Sequence, residues 1–213
     1  MKKAIFIIFI ILLIDQVSKI YIKTHFYLGE HINVMGLEWF QIRFVQNNGM
    51  AWGTEFGGRI GKLLLTIFRL VAVTGIGYWL YQSVKENRHK VLIIAISFIF
   101  AGALGNILDS MFYGLIFNDP FHNNQVATLF AVDNYDTLFH GKVVDMFYFP
   151  IIKNATFPSW LPIIGDKTFT FFNAIFNVAD SAITIGVAIL IFFNKKAFPK
   201  EETSNTEELQ EPL

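Results

Sequence analysis

The 213-residue chain contains no cysteine, which removes disulfides, thiol nucleophiles, palmitoylation and thiolate metal sites together. Charged residues make up only 16%, against about 25% in soluble domains, while 54% are hydrophobic and 24 are phenylalanine. That balance points to lipid. The net charge is zero, so a strongly basic nucleic-acid surface is excluded and no nucleic-acid partner is expected. There is no His-Glu-x-x-His, and His25, His31, His89, His122 and His140 lack ligand spacing, so a metallopeptidase gets no support. No Gly-x-Ser-x-Gly lies in an apolar run. A Ser18–Lys19 dyad fails because neighbours on a helix point about 100° apart. No internal repeat supports an inverted-repeat transporter. Carboxylates are the remaining candidate catalysts.

Four apolar runs, near residues 4–22, 62–81, 91–109 and 172–193, approach the ~20 residues needed to cross a bilayer as helices. They predict an all-α polytopic membrane protein. It has four transmembrane helices in a membrane domain over residues 1–200, and a small β-structure with long loops (23–61 and 110–171) on the outer face. The first run resembles a secretory signal peptide behind Lys2 and Lys3. No small-residue cleavage site follows, and the run continues through Asp15 and Lys19, so it reads as an uncleaved span. Orientation follows from basic residues in the short loops. The N-terminus, residues 82–90 and the segment after Asn194 hold eight: Lys2, Lys3, Lys85, Arg88, Lys90, Lys195, Lys196 and Lys200. The much longer opposite side holds six, which places both termini in the cytoplasm. The acidic residues 201–213 read as a disordered cytoplasmic tail.

The outer segments carry structure of their own. Residues 39–45 and 142–149 are rich in aromatic and β-branched residues and read as strands, with Asn47-Asn48-Gly49 as a turn. Trp and Pro in residues 157–162 suit an interfacial loop or a short surface helix.

Polar residues inside apolar spans are the functional candidates. Asp180 falls within the fourth run, where a carboxylate costs roughly 2.5–3.5 kcal/mol on insertion scales; counted from residue 172 it lies ~12 Å deep. It needs a wet cavity or a partner, and Arg69 of the second run lies at similar depth. Asn177 and Asp180, like Asn106 and Asp109, are three apart and share a helix face. Gly102 and Gly105 permit close helix approach. Asp15 and Lys19, four apart, read either as an ion pair with Lys19 snorkelling to the interface or as a site for an anionic, lipid-linked group. Asp145, alone, is only a strand aspartate. Its interest comes from the chance of meeting Asp180, because two close carboxylates share one proton and can run aspartic-peptidase chemistry.

Five stretches, in order, carry a family likeness. They are Asp15-Gln16-Val17-Ser18-Lys19; Phe44-Val45-Gln46-Asn47-Asn48-Gly49-Met50-Ala51-Trp52-Gly53; Gly102-Ala103-Leu104-Gly105-Asn106-Ile107-Leu108-Asp109; Val143-Val144-Asp145; and Phe176-Asn177-Val178-Ala179-Asp180-Ser181. With them the chain resembles the lipoprotein signal peptidase (signal peptidase II) family of bacterial inner-membrane aspartic peptidases. The resemblance implies that Asp145 and Asp180 form a catalytic dyad, and that Asp15, Lys19, Asn48, Gly49, Asn106, Asp109 and Asn177 surround substrate or support the site. It implies cleavage of prolipoproteins just before a diacylglyceryl cysteine, near the periplasmic face, with membrane lipid as surroundings. No metal or cofactor is implied, and the protein is expected to act as a monomer.

Two departures from the family pattern stand out. Ser110 occupies the place where the family usually has arginine, and residues 117–141 and 150–170 are longer than usual. Which aspartate holds the proton at rest is left open. Two other readings are open from the residues alone. One is an ion-coupled transporter with Asp15, Asp180 and Arg69 as a relay; the other is a non-catalytic receptor whose acids pair helices.

Overall fold

A computed structural model of the chain describes residues 1–49, 57–118 and 125–199. The acidic tail, and residues 50–53 of the second stretch above, lie outside the described residues.

Helix α1 (Lys2–His25) meets no proline or glycine, and apolar side chains such as Phe6, Phe9 and Val17 stay exposed along it, as a lipid-facing surface requires. Helices α2 (Gly58–Lys85) and α3 (Lys90–Ile116) complete a set of three, among the described residues, that are long and apolar enough to cross a membrane. Each runs past the bounds expected from hydropathy. Asp109 therefore sits inside α3 rather than at its outer end. Helix α3 is the centre: α1, α2 and the fourth apolar helix α4 (Val178–Phe192) all pack on it.

The expected fourth span needs correcting. α4 has 15 residues, about 22 Å at ~1.5 Å each, and begins at Val178 rather than at residue 172. Of the residues assigned to its outer end, Ile175-Phe176 forms a strand instead, as does Thr168-Phe169-Thr170-Phe171 just before them, because these residues are β-branched and aromatic. Asn177, in extended conformation, then caps the helix. A final turn, α5 (Asn194–Ala197), follows.

Nor is the molecule all-α. Strands β1 (His31–Asn33), β2 (Gln41–Asn47), β3 (Val143–Tyr148) and β6 (Ile175–Phe176) form an antiparallel sheet in the order β1-β2-β3-β6. β4 (Ile152–Thr156) and β5 (Thr168–Phe171) make a separate antiparallel pair, whose connecting segment exposes Trp160 and Ile163. The two strands read from residues 39–45 and 142–149 are β2 and β3, paired with Val45 opposite Asp145.

The sheet seats on one end of the bundle. Ile22 and Phe26 at the end of α1, Tyr113 and Phe117 at the end of α3, and Phe44, Val144 and Met146 from the sheet share one buried cluster. Lys23 is buried there under the rings of Phe44, Phe117 and Tyr135, at 4.9–5.7 Å from their centres. A second cluster, with Leu80, Leu92, Ile96 and Ala197, closes the opposite end. Part of the long 117–141 segment folds on itself through bridges from Phe117 to Leu129 and from Asn118 to Asn134, and the N–H groups of Phe130 and Asp136 donate to the Ile116 and Gly114 carbonyls at the end of α3.

Candidate active site

Small residues bring the site's helices together. At Gly102 a Cβ would overlap the Ala179 carbonyl oxygen, and at Gly105 it would lie 2.6 Å from an Asp15 carboxylate oxygen. Any larger residue would push α4 and α1 off α3. This close approach lets three helices share one polar centre.

Lys19 is its anchor. Its ammonium lies 2.9 Å from Asp15 Oδ2 and 2.7 Å from Asp109 Oδ2, and donates to Asn106 Oδ1 at 2.9 Å. Asp15, Lys19 and Asp109 are each 0% exposed, so Lys19 does not snorkel and has no donor left over for an anionic group. The correction is physical: a buried ammonium is tolerable only when its three protons are all taken, and the two carboxylates and the Asn106 amide oxygen take them. Asp15 Oδ1 also accepts the Ala179 N–H at 2.9 Å, satisfying a backbone donor at the start of α4. Gln16 donates to Asp109 Oδ1 at 3.0 Å and accepts from the Tyr113 hydroxyl at 3.2 Å.

Two asparagines carry this network to the aspartates. Asn106 donates to Asp180 Oδ1 at 2.8 Å and accepts at Oδ1 from Lys19 and from Asn177 Nδ2, the latter at 3.1 Å. Asn177 and Asp180 form a capping box: Asn177 Oδ1 accepts the Asp180 N–H at 2.9 Å, and the Asn177 N–H reaches Asp180 Oδ2 at 3.3 Å. Asn177 Nδ2 also donates to Asp145 Oδ1 at 2.8 Å, so one side chain touches both elements that carry the aspartates. Asp180 thus lies in the first turn of α4, not ~12 Å inside a span, where the helix dipole favours a carboxylate.

Asp145 projects from β3 and is 5% exposed. Burial and then the neighbouring Asp180 push its carboxyl from the ordinary 3.8 up to about 7. Asn47 Nδ2 donates to its second oxygen. Sequence reasoning missed Asn47 and named Asn48 instead. The pairing of β2 with β3 explains the choice: Val45 opposes Asp145 and Asn47 opposes Val143, so both share Asp145's face and Asn47 reaches it diagonally. Asn48 meets α2 through its carbonyl, which accepts from Lys62 Nζ at 2.8 Å. Gly49, in left-handed conformation, donates its N–H to Asn47 Oδ1 at 2.5 Å and accepts from the Arg69 guanidinium. Ser110 bonds back to the Asn106 carbonyl at 3.1 Å.

Asp145 and Asp180 line one cavity of about 1160 Å³ together with Asn47, Gly49, Arg69 and Asn106. Its remaining wall is largely apolar, with Val45 and Val143 from the β1-β2-β3-β6 sheet and Phe169, Phe171 and Phe172 from β5 and the residue after it. The volume exceeds the ~300–1,000 Å³ of sites for drug-sized ligands and suits an extended peptide better. No group of acids and histidines among the described residues could hold a metal ion.

Known proteins place the chain in a family. Residues 7–194 match the family described as signal peptidase (SPase) II. The chain belongs to that family. The lipoprotein signal peptidase of Porphyromonas gingivalis is 43% identical over 94% of this chain and 91% of its own length. That of Amoebophilus asiaticus is 34% identical over 84% of this chain and 71% of its own. A bacterial membrane enzyme solved at 1.9 Å by the in meso method superposes with a TM-score of 0.60 at 26% identity, covering 93% of this chain and 96% of that one. The family is one of peptidases, and its membership together with three long apolar helices makes this a membrane enzyme.

Proposed function

We propose that the protein is an aspartic endopeptidase that removes the signal peptide from prolipoproteins, cutting just before a cysteine that carries diacylglycerol. The observation that carries the reading is a single cavity lined by Asp145 of β3 and Asp180 of α4, with Asn177 bonded to both. Membership of the signal peptidase II family supplies the substrate class.

The roles follow from surroundings. Asp145, buried and pushed up to about 7, is the proton holder at rest. Asp180, at a helix N-terminus and receiving hydrogen bonds from Asn106 and the Asn177 N–H, is the carboxylate that deprotonates a water. The water attacks the scissile carbonyl carbon while Asp145 gives its proton to the carbonyl oxygen. As the tetrahedral intermediate collapses, the C–N bond breaks, the proton taken by Asp180 passes to the leaving amine, and one of the intermediate's two hydroxyls returns its proton to Asp145, which restores the starting state. The apolar wall with Phe169, Phe171 and Phe172 receives the signal peptide's side chains, and the acyl chains remain in the bilayer beside the helices. The protein sits in the bacterial inner membrane with both termini cytoplasmic and the sheet at the periplasmic end, and acts as a monomer. A buried, fully paired Asp15 leaves the proton-relay alternative without a free acid at that position.

The test uses purified protein and a diacylated prolipoprotein. Signal peptide should be released by the wild type and not by Asp145→Asn or Asp180→Asn, both of which still insert. Normal processing by either variant refutes the dyad.

A further inference from the structure

Helix α2 takes no part in the chemistry above, yet two of its cations grip the site. Lys62 and Arg69 are seven apart, hence on one face. Lys62 Nζ holds the Asn48 carbonyl, and the Arg69 guanidinium holds the Gly49 carbonyl. Gly49 has φ +85°, and a Cβ there would overlap the guanidinium, so only glycine leaves room for the group at this residue. The turn that Arg69 grips begins at Asn47, whose amide oxygen accepts the Gly49 N–H and whose amide nitrogen donates to Asp145. The path from α2 to the dyad is therefore Arg69, Gly49, Asn47, Asp145. Electrostatic attraction also runs from Arg69 to Asp180 and, next, to Asp145, and all three line the same cavity.

One other cation acts on the dyad. Lys19, from α1, is shared between Asp15 and Asp109, attracts the Asp145 carboxylate, and reaches Asp180 through Asn106; the pull of Arg69 falls first on Asp180. From α3, Asn106 contributes a neutral amide, as do Asn47 from β2 and Asn177 from α4. Lys62 is bound to the Asn48 carbonyl.

We propose that Arg69 is a positioning residue for the dyad: it fixes the turn at residues 47–49 against Asp145 and supplies the positive charge that keeps one of the two carboxylates ionised. This rests on the dyad reading above. With Asp145 buried and Asp180 half-buried beside it, the pair resists losing even its first proton, and a cation at the cavity wall lowers that cost. Loss of the charge makes the first ionisation occur at higher pH, whereas loss of the turn alone slows cleavage at every pH.

The experiment measures kcat and KM for a diacylated prolipoprotein between pH 5 and 9, with folding of each variant checked by thermal unfolding in detergent micelles. Arg69→Met should lower kcat by about tenfold or more and move the acid limb of its pH profile up by about half a unit or more. Arg69→Lys keeps the charge and should leave the limb at the wild-type position. If Arg69→Met does not accumulate folded, Arg69→Gln, also uncharged, should show the same limb shift. An unmoved limb in the uncharged variant, or an equal shift in Arg69→Lys, overturns the proposal. Asp145→Asn separates the two layers of argument. If it is dead while Arg69→Met keeps the wild-type profile, the dyad stands and the role of Arg69 falls. If it cleaves normally, the dyad itself falls.

Discussion

Asp145 lies buried with only 5% of its surface exposed, and its carboxyl is raised from 3.8 to about 7. Between those two values the folded protein holds a proton that the unfolded chain has given up, so this residue's contribution to stability falls as pH rises through the window. At ~1.4 kcal/mol per pH unit, the loss reaches ~4 kcal/mol above pH 7. Replacing Asp145 by asparagine removes the ionisable group while copying the shape of the protonated acid. The asparagine offers one acceptor where both Asn47 and Asn177 donate, and a mismatched donor costs about 1–3 kcal/mol. The net at pH 8 is a gain of about 1–3 kcal/mol, or about 2–10 °C for a chain of this size, and the gain should vanish near pH 4. Cleavage should fall by about 10²–10⁴-fold in the same variant, as expected when a general acid is lost. Thermal unfolding of wild type and Asp145→Asn in micelles at pH 4.5 and pH 8, beside the cleavage assay, tests both halves. A variant no more stable than wild type at pH 8, or an identical difference at the two pH values, would refute the reasoning.

Three further outcomes are expected. Activity should decline as pH rises through about 7, because Asp145 then loses the proton it must donate; a rate unchanged from pH 7 to 9 contradicts that role. Lys19→Met leaves Asp15 and Asp109 buried without their cation and should cost about 3–5 kcal/mol, with partial recovery of stability at low pH as the acids take protons; unfolding midpoints at pH 5 and 8 measure it. Gly102→Val should destabilise by about 1–3 kcal/mol or more, since its side chain would collide with the Ala179 carbonyl and lie near Ile183. Gly75→Ala, with nothing within 4 Å of the added methyl, should be neutral or stabilising, and unfolding of the pair in parallel checks the contrast.

Much of the site could be read in the chain because its residues stand at helical spacing within apolar runs. Asp15 and Lys19, Asn106 and Asp109, and Asn177 and Asp180 were visible as pairs on one face, and each pair does meet the common network. Gly102 and Gly105 similarly announced a close helix contact. The start of α4 was not legible. Hydropathy cannot tell an apolar strand from an apolar helix turn, so residues 172–177 were counted into a span when they lead through β6 to a capping asparagine. Asn47 was hidden for a related reason. Its contact with Asp145 depends on which residues of β2 and β3 face each other, and register is a property of the pair of strands rather than of either one.

By itself the sequence determined the solvent, the three long apolar helices and the family, because each depends on composition, run length or residues close together along the chain. Only the tertiary structure decided that Lys19 is sealed between two acids, that Asp180 opens a helix rather than interrupting one, and that Arg69 reaches the turn beside Asp145. Those facts depend on distances between residues far apart in the chain, from 90 positions for Lys19 and Asp109 to 20 for Arg69 and Gly49, and such distances are set by packing.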